Sequence, residues 1–137
     1  MDLTVIRARV GEARVARLAT VGADGAPHLV PVTFAVRGEV VVTAVDHKPK
    51  TSTDLRRLRN IRHNPKVSVL VDHYDEDWTR LWWVRGDGTA AVHDGGPAWE
   101  DAVAALTGKY HQYRQRTPSG PAIVIAISRW SGWAYSG

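Results

Sequence analysis

Three β-rich runs, separated by two short turn signals, constrain this chain more than any other feature. Residues 15–21, 27–36 and 39–45 are dominated by Val, Thr, Leu and Ala. The first two flank Gly22-Ala23-Asp24-Gly25, and the last two flank Arg37-Gly38. Asp-Gly between two such runs signals a hairpin, because a tight primed turn needs positive φ at both central positions. The spacing predicts an antiparallel meander of three strands. Pro31 inside the second run cannot donate to a ladder, so it marks a bulge or a place where pairing opens.

The rest of the chain extends this pattern. Leu3, Ile6 and Val10 fall on one helical face, predicting a short amphipathic helix over 3–13. A second helix is expected around Leu55, Leu58 and Ile61, with Arg56, Arg57, Arg59 and Arg62 on its other faces and Asn64-Pro65 ending it. Strands are expected at 66–71, 79–84, 88–92 and 122–128, with an acidic loop at 72–77. Trp99, Val103 and Leu106 set the period of a last helix after Gly95-Gly96-Pro97. No repeat, linker or composition shift divides the chain, so one domain over residues 1–137 is expected. Mainly β structure with a few short helices closes most naturally as a small antiparallel barrel of about six strands, which removes exposed sheet edges.

With 137 residues, 44% of them hydrophobic, the chain can bury a core without staples. It has no cysteine, which excludes disulfides, thiolate catalysis and Cys-ligated zinc and fits a reducing compartment. The apolar runs are strand-sized and the N-terminus does not have the build of a secretory signal, so a soluble cytoplasmic protein is expected. The six histidines form no ligand-spaced pair, and no metal site is expected. Gly86-x-Gly88-x-x-Ala91 matches a relaxed dinucleotide fingerprint in form only, since strand-like sequence follows where a helix is required. Neither a phosphate loop nor a nucleophile elbow occurs. A chain so equipped either is not an enzyme or takes its reactive atoms from a cofactor, so no catalytic side chain is assigned.

Charge narrows the choice. The net charge is +4, and residues 47–66 carry seven Lys or Arg against one acid, Asp54. Within this segment, His47-Lys48-Pro49-Lys50-Thr51-Ser52-Thr53-Asp54 places two lysines and three hydroxyls ahead of a helix start, a combination suited to phosphate. A solvated loop ending in an ordinary helix cap is the alternative. Nucleic-acid binding is the weaker reading of the basic patch, because no interleaved aromatics lie beside it. Trp78, Trp82 and Trp83 cluster further on, and Trp82 and Trp83 face opposite sides of an extended strand. One can fill the core while the other meets a ligand, a partner subunit or water.

Several fragments together resemble the split-barrel, pyridoxamine 5'-phosphate oxidase-like flavin and deazaflavin proteins (the PPOX class). They are Leu18-Ala19-Thr20, Asp24-Gly25-x-Pro27, Val30-Pro31-Val32-Thr33-Phe34, Asp46-His47-Lys48-Pro49-Lys50, Leu58-Arg59-Asn60-Ile61, Asn64-Pro65-x-Val67-Ser68 and Asp72-His73-Tyr74-Asp75. The Lys-x-Lys-Thr form and the Trp-rich strand look most like the branch that uses coenzyme F420, a deazaflavin with a phospholactyl oligoglutamate tail. The resemblance implies a split β-barrel, FMN-binding-like in fold, and a homodimer with cofactor sites at the subunit seam. It puts Lys48, Pro49, Lys50 and Thr51 at the phosphate, Val30, Pro31, Val32, Thr33 and Thr43 against the ring, and Arg57 near the acidic tail. Trp82 or Trp83 would shield the reacting face. The implied activity is hydride transfer between F420 and an unsaturated small molecule. FMN is the alternative cofactor; a carrier or sensor without turnover and a heme-binding split barrel are the alternative functions.

Overall fold

A computed structural model describes residues 1–45 and 55–135. Helix α1 (Leu3–Glu12) starts where the Asp2 carboxylate accepts the Val5 N–H at 2.9 Å, and it buries Ile6 and Val10. Leu3 does not join that face and remains exposed. Strands β1 (Ala16–Val21) and β2 (Pro27–Val32) form the expected hairpin. Its turn differs from the expected primed type. Gly25 N–H bonds to Gly22 O, Gly22 N–H bonds to Ala26 O, and of the loop residues only Gly25 has positive φ, +82°. This is a type I turn closed by a left-handed glycine, and it leaves Asp24 free to accept the Ala26 N–H.

The anticipated meander breaks at Thr33-Phe34. Strand β3 (Ala35–Arg37) is not a continuation of β2, and it pairs with β4 (Val40–Ala44). Pro31 keeps its register opposite Arg17, as an edge strand permits, and the break falls two residues later. Helix α2 (Arg56–His63) follows, then β5 (Lys66–His73), a 3₁₀ turn (Trp78–Arg80), β6 (Trp82–His93), helices α3 (Pro97–Lys109) and α4 (His111–Gln115), and β7 (Ala122–Ala134). The two strands expected at 79–84 and 88–92 are one long strand after the 3₁₀ turn. A register shift at Asp87/Gly88 bends it instead of ending it. Gly88 is required there, since a Cβ would run into the backbone of Ala126. The last strand likewise runs past Ser128, so Trp130 and Trp133 lie on it.

The seven strands are ordered β2-β1-β5-β6-β7-β4-β3, with every pairing antiparallel. Strands β2 and β3 are therefore opposite edges of one sheet, yet only Thr33 and Phe34 separate them in the chain. Two linking residues span roughly 10 Å at most. The sheet must curl until its edges nearly meet, which makes a barrel split along one seam.

Leu18, Phe34, Val41, Val69, Val84 and Ile125 fill the interior. Helix α2 covers one opening with Leu58 and Ile61, and its buried Asn60 donates to Thr20 Oγ1 at 3.0 Å. On the other side Ala102 and Leu106 of α3 pack against Ala35, Val42 and Ala122, and Trp99 Nε1 donates to Gly120 O. Among the described residues no helix is long and apolar enough to cross a membrane.

Candidate functional site

The seam of the barrel is held by side chains instead of a β ladder. Thr43 Oγ1 on β4 donates to Thr33 O at 2.7 Å, tying the crossover to the strand beside the far edge. Tyr110, at the end of α3, accepts the Phe34 N–H at 3.1 Å and lies 2.8 Å from Arg14 O. Thr33 Oγ1 and Tyr113 OH are 2.6 Å apart. The Thr33 carbonyl and the Phe34 N–H and carbonyl, released by the strand break, are thus met by side chains, as burial demands.

Beside this seam a pocket of about 210 Å³ is lined by Val15, Pro31, Val32, Thr33, Thr43, Ala44 and Arg57. Five of the residues expected at the cofactor, Pro31, Val32, Thr33, Thr43 and Arg57, therefore meet at one place, although they come from β2, the crossover, β4 and α2. Val30 instead turns inward and packs on the core. Lys48, Pro49, Lys50 and Thr51 lie outside the described residues. The described chain stops at Val45, one residue after Ala44, and resumes at Leu55, two residues before Arg57, and both Ala44 and Arg57 line the pocket.

The local field is positive. His28 on β2 has its pKa lowered, first by burial and then by the charges of Arg56 and Arg57, so its neutral form is favoured. Its Nδ1 is buried with no hydrogen-bond partner among the described residues. Periodicity had not singled out His28, because the signal is tertiary: a strand residue placed under the first turn of a basic helix.

The tryptophans occupy other surfaces. Trp82 packs on the barrel core, stacks on His73 with centroids 6.4 Å apart, and has the Arg9 guanidinium 4.8 Å from its ring centre. Trp83 points the other way, as the alternation predicted, into an outer groove shared with Leu29, Leu70 and Tyr74. Neither lines the Thr33–Thr43 pocket of its own chain. Among the described residues, no group of three or more His, Cys, Asp or Glu is placed to hold a metal ion.

A split antiparallel barrel defines a class of fold, and known proteins share it. A family model described as Pyridoxamine 5'-phosphate oxidase matches residues 4–134, and the chain belongs to this family. It is similar to a 5a,11a-dehydrotetracycline/5a,11a-dehydrooxytetracycline reductase of Streptomyces rimosus, 38% identical over 74 residues. That stretch is 52% of this chain and 46% of the relative, so the chain spans about half the length of the curated relative it matches. Among solved structures, the conserved hypothetical protein Rv2991 from Mycobacterium tuberculosis superposes with a TM-score of 0.81 at 22% identity, covering 98% of this chain and 86% of that one. A FAD-binding protein from Mesorhizobium loti superposes with a TM-score of 0.74 at 20% identity, covering 96% and 94%. Identities this low establish the shared fold.

Proposed function

We propose that this protein is an oxidoreductase that binds coenzyme F420 and transfers a hydride between it and an unsaturated small molecule. The observation that carries this reading is the convergence of Pro31, Val32, Thr33, Thr43 and Arg57 on one seam pocket. Backbone and small side chains at the seam suit the edge of a planar ring, and Arg57 suits an anionic tail. Similarity to a reductase of dehydro compounds supports an unsaturated acceptor. The coenzyme supplies the hydride chemistry; the residues of this chain bind, orient and keep out water.

The pocket's volume of about 210 Å³ is below the roughly 300–1,000 Å³ typical of small-molecule sites. A half-site completed by a second copy answers this. The outer sheet face supports such a dimer, because Leu29 and Tyr74 are 67% and 71% exposed and flank Trp83, an apolar patch that water disfavours. Sedimentation of the purified protein is expected to give twice the 15.1 kDa chain mass; a monomer at working concentration would rule out the shared site.

Titration with F420, FMN and heme, followed by ligand absorbance or fluorescence, tests the cofactor. F420 is expected to bind tightest. Tighter binding of FMN or heme would move the assignment to those branches. Turnover of reduced F420 with an unsaturated acceptor separates an enzyme from a carrier.

A further inference from the structure

On the other side of Thr33 lies a larger cavity, about 850 Å³, between the loop after α1 and the α3–α4 corner. We propose that it is a binding site for an anionic aromatic small molecule. As to role, the proposal rests on the oxidoreductase reading, in which this ligand is the reactant placed next to the coenzyme; the binding itself does not depend on that reading.

Charge is the first argument. Arg14, Lys109 and Arg114 line the cavity, and its lining contains no Asp or Glu. The guanidiniums are held in place by the end of α3. Arg14 Nη1 donates to Lys109 O at 3.1 Å, while Arg114 donates through Nε to Thr107 O at 3.0 Å and through Nη2 to Gly108 O at 2.7 Å. Capping a helix C-terminus is a structural role in itself. It uses one or two of the five N–H donors of each arginine, however, and it fixes the remaining charge in position. Fixed cations that need no reorganisation are what an anion site requires.

Lys109 is the second. Its Nζ donates to Ala13 O at 2.6 Å and sits 3.9 Å from the centre of the Phe34 ring. A carbonyl and a ring face solvate the ammonium, but neither carries a full negative charge. Burial first, and then the charge of Arg14, push its pKa down to about 8. An incoming carboxylate would relieve both effects.

Shape and position complete the case. Tyr110 is buried with Arg14 and Lys109 over its ring, so the aromatic surface left to a flat ligand is that of half-buried Tyr113, which meets Tyr110 edge to face with centroids 5.6 Å apart. Thr33, whose hydroxyl touches Tyr113 OH, lines both this cavity and the seam pocket. A molecule bound here would be one residue away from the coenzyme ring.

Fluorescence titration of the coenzyme-free protein with 1-hydroxy-2-naphthoate, compared with its neutral amide, is the test. At pH 7 the acid is expected to bind at least tenfold tighter than the amide. The groups around Lys109 are Arg14 before β1, Tyr110 beside it, and His111 and Arg114 of α4. Of these, Lys109 is the group whose pKa is placed near 8, so affinity for the acid should fall as the pH rises from 7 to 9.5, where the ammonium loses its proton. Lys109→Met should weaken the acid about tenfold and flatten that profile. Lys109→Arg keeps a charge throughout, and should keep the affinity at pH 9.5. Equal binding of acid and amide, or an unchanged profile in Lys109→Arg, would overturn the proposal. Arg57→Gln, on the other pocket, should weaken F420 and leave the naphthoate alone. Failure of F420 to bind with naphthoate binding intact would therefore count against the coenzyme reading only.

Discussion

Replacing Lys48 and Lys50 together by alanine is expected to lower the affinity for F420 about a hundredfold while leaving the melting temperature unchanged. A hydrogen bond to a charged group contributes roughly 1.5–3 kcal/mol, so two ammonium contacts to a phosphate are worth about 3 kcal/mol, a hundredfold in binding. Each single change should cost about tenfold. Phosphate recognition that is mostly electrostatic also weakens with salt, and the double variant should show a shallower salt dependence than the parent. Ligand fluorescence at two ionic strengths measures both effects. Full affinity in the double variant would remove the phosphate clamp from these lysines, while the family membership and the barrel would stand.

Local signals in this chain report local structure well. The Asp24-Gly25 hairpin, the α2 stop at Asn64-Pro65 and the opposed faces of Trp82 and Trp83 all follow from spacing of one to four residues, and all are present. The lengths of β6 and β7 were hidden because Gly86, Gly88 and the polar run at Arg129 and Ser131 look like strand ends. They pass because the partner strand supplies what they lack. The Trp130 ring lies where a Cβ on Gly86 would stand, and Ser128 Oγ donates to Asp87 O at the bulge. The break at Thr33-Phe34 was hidden for a related reason. Val30 to Val36 reads as one β run, and only closure of the sheet makes two of its residues leave the ladder. Residues 31–33, 43 and 57, which the resemblance puts at the cofactor, line one seam pocket although they come from four places in the chain. Lys109 and Tyr110 were not, since their partners Ala13 and Arg14 lie 96 residues away and no short-range pattern connects them.

Phe34→Ala is expected to be the most damaging single change for stability, at about 3–5 kcal/mol, because the ring is 1% exposed and the void it leaves has rigid strands on several sides. Against a typical domain stability of roughly 5–15 kcal/mol, that loss brings the chain close to unfolding at 37 °C. The position matters as much as the size. Phe34 fills the point where the two edges of the sheet approach, its backbone is held by Tyr110 OH, and its ring carries the Lys109 ammonium. Phe34→Leu should recover much of the core while removing the ring under Lys109. Its stability loss should therefore be smaller, near 1 kcal/mol as for other hydrophobic swaps that nearly conserve volume. Tyr110→Phe provides the complementary control, since it keeps the ring and leaves the Phe34 N–H without its acceptor, at a cost of about 1–3 kcal/mol. Urea unfolding of the three variants measures the differences. If Phe34→Ala proved no more costly than Tyr110→Phe, the seam would be held by its hydrogen bonds, and the packed ring would not be what keeps the split barrel closed.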